Sequence, residues 1–141
     1  MGELPTIEQT FILPGQAKLE VKPIAILGEG SVLAAQAAEC ANEQGRFWGY
    51  HDILYANQKS ERRQQTADDL KRFAAAGGLN AENFNSCLDS GKYAATVSNN
   101  TGAATRQGVT STPTIFVNGR KVESTAEAVG KAVQEELASG S

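Results

Sequence analysis

Apolar positions recur at helical spacing through most of this chain and alternate in only two places, near its start and towards its end. Leu4, Ile7 and Phe11 share one face of a 3.6-residue period, which predicts a helix over 4–13 stopped by Pro14-Gly15. A strand over 10–13 turning at the same Pro-Gly is the competing reading. Residues 17–21 alternate apolar and polar and predict a strand ending near Lys22, before Pro23. A Gly-Glu-Gly loop leads to Ser31, a candidate N-cap for an alanine-rich helix over 32–43 that Gly45 breaks. Residues 46–57 form a second amphipathic helix carrying Phe47, Trp48, Ile53 and Leu54. Residues 59–65 are polar and read as loop or frayed helix. Thr66 then caps a helix over 67–76, which Gly77-Gly78 ends. Asn80 caps a short helix that turns Phe84, Cys87 and Leu88 inward, and a longer one over 92–107 closes at Gly108.

The last stretch changes period. Thr114 to Val117 is β-branched and aromatic, and Asn118-Gly119 supplies the two positive φ angles of a type I′ hairpin. Ser124 with Glu127 makes a capping box for a final helix over 125–137. The order is helix, strand, five helices, two strands, helix. Five helices between strands describe a helical subdomain inserted into an α/β core, roughly 31–104, within a single domain.

Composition narrows the class. A chain of 141 residues, 40% of them hydrophobic, predicts one domain with a sizeable core. A net charge of -3 argues against nucleic acid or an anionic membrane as partner. No apolar run approaches the roughly 18 residues of a membrane span, and the first residues lack the basic and apolar regions of a signal peptide. Neither a metal site nor a cofactor is expected. The lone histidine and two cysteines leave a zinc site short of ligands, and no glycine-rich phosphate loop appears. His51 has acid–base partners within reach at Asp52 or Glu39, although a helical histidine more often packs or faces solvent. Phe47, Trp48, Leu54, Phe73 and Phe84 read as core, and the charge runs 61–63 and 68–72 as solvated faces. Cys40 and Cys87 lie on different predicted helices; their residues alone leave a structural disulfide, two buried thiols or a redox pair all open.

Four segments in order resemble the DsbA-like branch of the thioredoxin superfamily. They are Ala34 to Trp48, Tyr50 to Gln58, Gly78 to Lys92, and Gly108-Val-Thr-Ser-Thr-Pro-Thr-Ile-Phe-Val-Asn-Gly119. The resemblance runs from about Pro14 to Leu137. It implies a thioredoxin-like fold with a helical insert, thioredoxin-like parts at about 1–30 and 105–138, and a cis Thr112–Pro113 bond. It also implies a structural disulfide between Cys40 and Cys87 and an extracytoplasmic home. In relatives, the loop around this proline binds the backbone of an extended peptide, which makes Thr112 and Pro113 candidate substrate-binding residues; the plainer alternative is that the proline only sets the entry angle of the hairpin.

The sequence departs from that family at its start. Family members open with a strand and a Cys-x-x-Cys at a helix N-terminus, where the dipole favours the thiolate. This sequence holds no Cys-x-x-Cys, so no catalytic residue is assigned, and helix 4–13 corresponds only to the far end of that first helix. The first reading is therefore a DsbA-like oxidoreductase domain without its active-site segment, through a short reading frame or trimming, and silent in disulfide exchange. A non-redox peptide-binding or dimerising module is the second. Kappa-type glutathione transferase or isomerase chemistry is the third, with its key residue also at the absent helix start. The absent strand is central in the family's sheet. Five apolar residues of such a strand are worth about 10 kcal/mol, comparable to a whole domain's stability of about 5–15 kcal/mol. Either strand 17–21 shifts beside the hairpin or a second copy pairs across the open edge.

Overall fold

The computed structural model describes residues 4–25, 29–57 and 65–140. They fall into two compact units, one holding the described residues of 1–21 and 109–141, the other those of 22–108.

In the first unit, α1 (Leu4–Ile7) continues over Glu8–Ile12 with the wider hydrogen bonding of a π turn. The strand alternative for 10–13 is thereby excluded. After the turn at Gly15, residues 17–25 carry no regular structure, so the strand expected at 17–21 is not formed. An alternating pattern yields a strand only where a neighbouring strand supplies the ladder, and among the described residues β1 and β2 pair only with each other. β1 (Ile115–Val117) and β2 (Arg120–Val122) form an antiparallel hairpin with Ile115 opposite Val122 and Val117 opposite Arg120. Asn118 and Gly119 have φ of 47° and 83°, as a type I′ turn demands. α7 (Ala126–Ala138) follows.

Ile7, Phe11, Val129 and Val133 form the core of this unit, with Ala17, Ile115, Val117, Val122 and Ala126 packed on it. Gly130 of α7 lies close against Phe11: a Cβ there would stand 3.1 Å from the Phe11 ring, tighter than ordinary contact.

The second unit is helical. It comprises α2 (Glu29–Glu43), α3 (Phe47–Ala56), α4 (Ala67–Ala76), α5 (Ala81–Asp89) and α6 (Ala94–Arg106). α2 packs against the other four, and its face of Ala37, Cys40 and Ala41 meets Tyr50, Leu70, Ala74, Phe84, Cys87 and Leu88. These positions recur three or four apart because one helical stripe faces the core. α2 starts before Ser31, so Ser31 is an internal residue and not the N-cap expected of it. The polar stretch expected as loop at 59–65 lies outside the described residues, apart from Gln65.

Trp48 is 40% exposed, contrary to its expected place in the core. Tyr50 occupies the buried face of α3 instead, and two residues along a helix is about 200° of rotation. Asp69 is buried rather than on a solvated face: it accepts from the Thr66 N–H, completes a capping box at α4, and pairs with Arg72 at 2.6 Å.

Candidate functional site

The segment between α6 and β1 is the candidate site. Val109 is buried, whereas Ser111, Thr112 and Pro113 are exposed. The Thr112–Pro113 bond is cis. Two hydroxyls of the chain fix this loop. The Thr114 Oγ1 donates to the Ser111 carbonyl at 2.6 Å, and the Ser124 Oγ donates to the Pro113 carbonyl at 2.9 Å. Ser124 was expected to cap α7. That role belongs to Thr125, whose Oγ1 accepts from the Ala128 N–H at 3.1 Å. With the cap one residue later, the third helical position is Ala128, and the expected Ser124–Glu127 capping box does not form. Two adjacent hydroxyl residues precede α7, and only one can occupy the N-cap; that pairing was the available sequence signal for a second role.

Cys40 and Cys87 are joined in a disulfide between α2 and α5, their Cα atoms 5.9 Å apart. The residues are 1% and 6% exposed, among the core side chains of the helical unit. A clamp binds the same elements: Gln44 donates to the Asn80 carbonyl at 3.2 Å and accepts from the Asn80 N–H at 2.8 Å. Beside it, Lys92 hydrogen-bonds Glu43, which holds the Glu43 carboxyl below its usual range and the Lys92 ammonium above its own. Glu43, Gln44, Ser90 and Lys92 line an open depression of about 420 Å³ over Cys87.

His51 lies in a stack of rings on α3, 4.6 Å from Tyr55 and 5.3 Å from Trp48 between centroids. Its Nδ1 is 3.2 Å from the Asp52 carboxylate, so of its two candidate partners the structure brings Asp52 to it. Asp52 is exposed. Among the described residues, no group of three or more His, Cys, Asp or Glu side chains converges as a metal site.

A family profile described as Thioredoxin matches residues 2–135. The fold superposes on the crystal structure of oxidised BdbD from Bacillus subtilis with a TM-score of 0.82 and 26% identity, covering 94% of this chain and 75% of that one. The chain belongs to the DsbA-like thiol:disulfide oxidoreductase family, within the thioredoxin superfamily. The probable disulfide bond formation protein D of Bacillus cereus is 27% identical over 139 residues, 95% of this chain. A segment of 89 residues is 40% identical to the Na(+)/H(+) antiporter NhaA 3 of Salinispora tropica. The chain spans 13% of the length of the antiporter and 64% of the disulfide bond formation protein. Within this DsbA-like chain, the Thr-Pro loop belongs to the thioredoxin-like unit and the disulfide to the helical one.

Proposed function

We propose that this polypeptide is a DsbA-like domain that performs no disulfide exchange of its own and retains a docking loop for extended peptide at Thr112–Pro113. One observation carries the first half. Both cysteines of the sequence are consumed in a single buried disulfide. Catalytic exchange needs a thiolate at an accessible position of lowered pKa. Cys40 instead sits in the last turns of α2, where the dipole disfavours a thiolate. The docking half draws on the resemblance to peptide-binding relatives and on the exposure of residues 111–113.

The test is an insulin-reduction assay with dithiothreitol, run beside a Cys40→Ala/Cys87→Ala double variant. The expected result is the uncatalysed rate for both proteins. A faster rate that the double variant abolishes would overturn the reading.

A second reading concerns assembly, and the two-stranded sheet favours it. In a two-residue hairpin the pairs 117/120 and 115/122 exchange the ladder hydrogen bonds. Phe116 therefore turns its N–H and C=O to the outer edge of β1. That edge is the surface on which a second copy of this chain would add its own β1.

A further inference from the structure

We propose that Ser124 is a positioning residue for the docking loop, and that together with Thr114 it sets the register in which an extended peptide pairs. This inference rests on the peptide-docking reading above and adds to it the residues that select the paired position.

Strand-like pairing with a single residue needs that residue's N–H and C=O together. Four residues of the loop offer themselves. Pro113 has no N–H, and its carbonyl is held by the Ser124 hydroxyl at 2.9 Å. The Ser111 carbonyl is held by the Thr114 hydroxyl at 2.6 Å. Thr114 leads directly into β1 and is only half exposed. Among the described residues, no hydrogen bond engages the Thr112 N–H or C=O. Of residues 111–114, Thr112 is thus the exposed one with both groups available, flanked on each side by a carbonyl already turned towards a hydroxyl of the chain itself.

Ser124 performs this from a firm base. Thr125, next in sequence, is locked as the N-cap of α7, and Val129, one turn further on, is buried against Phe11 and Ile7. The helix thereby fixes the Ser124 Oγ, which in turn fixes the Pro113 carbonyl. Without that hydroxyl the 113–114 peptide is free to rotate. The incoming strand would then meet a mobile acceptor beside Thr112 and would have to order it on binding.

The experiment uses the full chain and a fluorescein-labelled, cysteine-free decapeptide of alternating valine and serine, read by fluorescence anisotropy. Parent, Ser124→Ala and Ser124→Thr are compared, and backbone amide shifts are followed by NMR during the same titration. Ser124→Ala is expected to weaken binding about fivefold, the scale of one lost hydrogen bond. Ser124→Thr, which keeps the hydroxyl, should bind within about twofold of the parent. In the parent the largest shift falls on Thr112; in Ser124→Ala it spreads to Ser111 and Thr114. Parent-like affinity in Ser124→Ala, or equal losses in both variants, overturns the role of Ser124 while leaving peptide docking intact. A parent that does not bind the decapeptide at all overturns the docking reading and this inference with it.

Discussion

Tyr50 shows how one side chain can join three elements of the helical unit. Its ring is fully buried and stands 5.3 Å from that of Phe84, and its hydroxyl donates to the Leu70 carbonyl at 2.9 Å. Replacing it with phenylalanine keeps the ring and removes one buried hydrogen bond, so Tyr50→Phe should lower stability by about 1 kcal/mol in urea unfolding. Burial also pushes the phenol well above its ordinary value. The folded chain therefore holds the proton where an unfolded tyrosine, near pH 10, releases it. Stability is fully present below that pH and is lost as pH rises beyond it. An alkaline melting series should show a decline starting at about pH 10, and Tyr50→Phe should flatten it; an unchanged slope in the variant would assign the decline to other groups. Sequence pattern missed Tyr50 because Trp48 is the larger apolar residue of the same turn, and periodicity alone does not say which of two aromatics two residues apart turns inward.

Between elements, covalent and non-covalent ties reinforce each other at the α2–α5 contact. The Cys40–Cys87 bridge spans 47 residues of sequence. Closing a loop of that size restricts the unfolded chain by about 4 kcal/mol on the entropy model. Cys40→Ala/Cys87→Ala should lower the urea unfolding free energy by roughly that amount, with the parent under strong reductant behaving alike. A loss below about 1 kcal/mol would mean that the Gln44–Asn80 clamp and the packed α2 stripe carry the contact without it. The helices of this unit were legible because their signals are local: Thr66 and Asn80 cap where the sequence places them, and the stripe of α2 repeats at helical spacing. The Asn-Gly hairpin was legible for the same reason. Residues 17–21 were not, since a strand is completed by a partner elsewhere in the chain and its alternation records only a preference. The site was half legible. Thr112 and Pro113 stood out by sequence, whereas the hydroxyl that holds them belongs to a residue eleven positions on from Pro113, which short-range pattern assigns to a helix cap.

At the scale of the molecule, the open question is what completes the sheet of the thioredoxin-like unit. An isolated two-stranded hairpin is marginal in water. Here it leans on α7 and on the Ile7–Phe11 face of α1. Residues 17–21 form no strand and join no ladder with the hairpin, which removes the first of the two remedies expected from sequence, a shift of that segment beside the hairpin. The other remedy is a second copy. A two-fold axis through Phe116 would set β1 antiparallel to its mate, each Phe116 lending its N–H and C=O, and would give a four-stranded sheet in which no β1 edge remains to extend. Phe116→Pro removes the outward N–H, a change that an edge strand tolerates, and Phe116→Ala serves as the control for the lost ring. On this reading the parent elutes as a dimer in light scattering at tens of micromolar and dissociates on dilution. Phe116→Ala weakens the dimer, and Phe116→Pro leaves a monomer that retains the helical circular-dichroism signal of the rest of the chain. A parent that is monodisperse as a monomer and melts in one cooperative transition would remove the second copy as the remedy, and would mean that α1 and α7 hold the hairpin unaided.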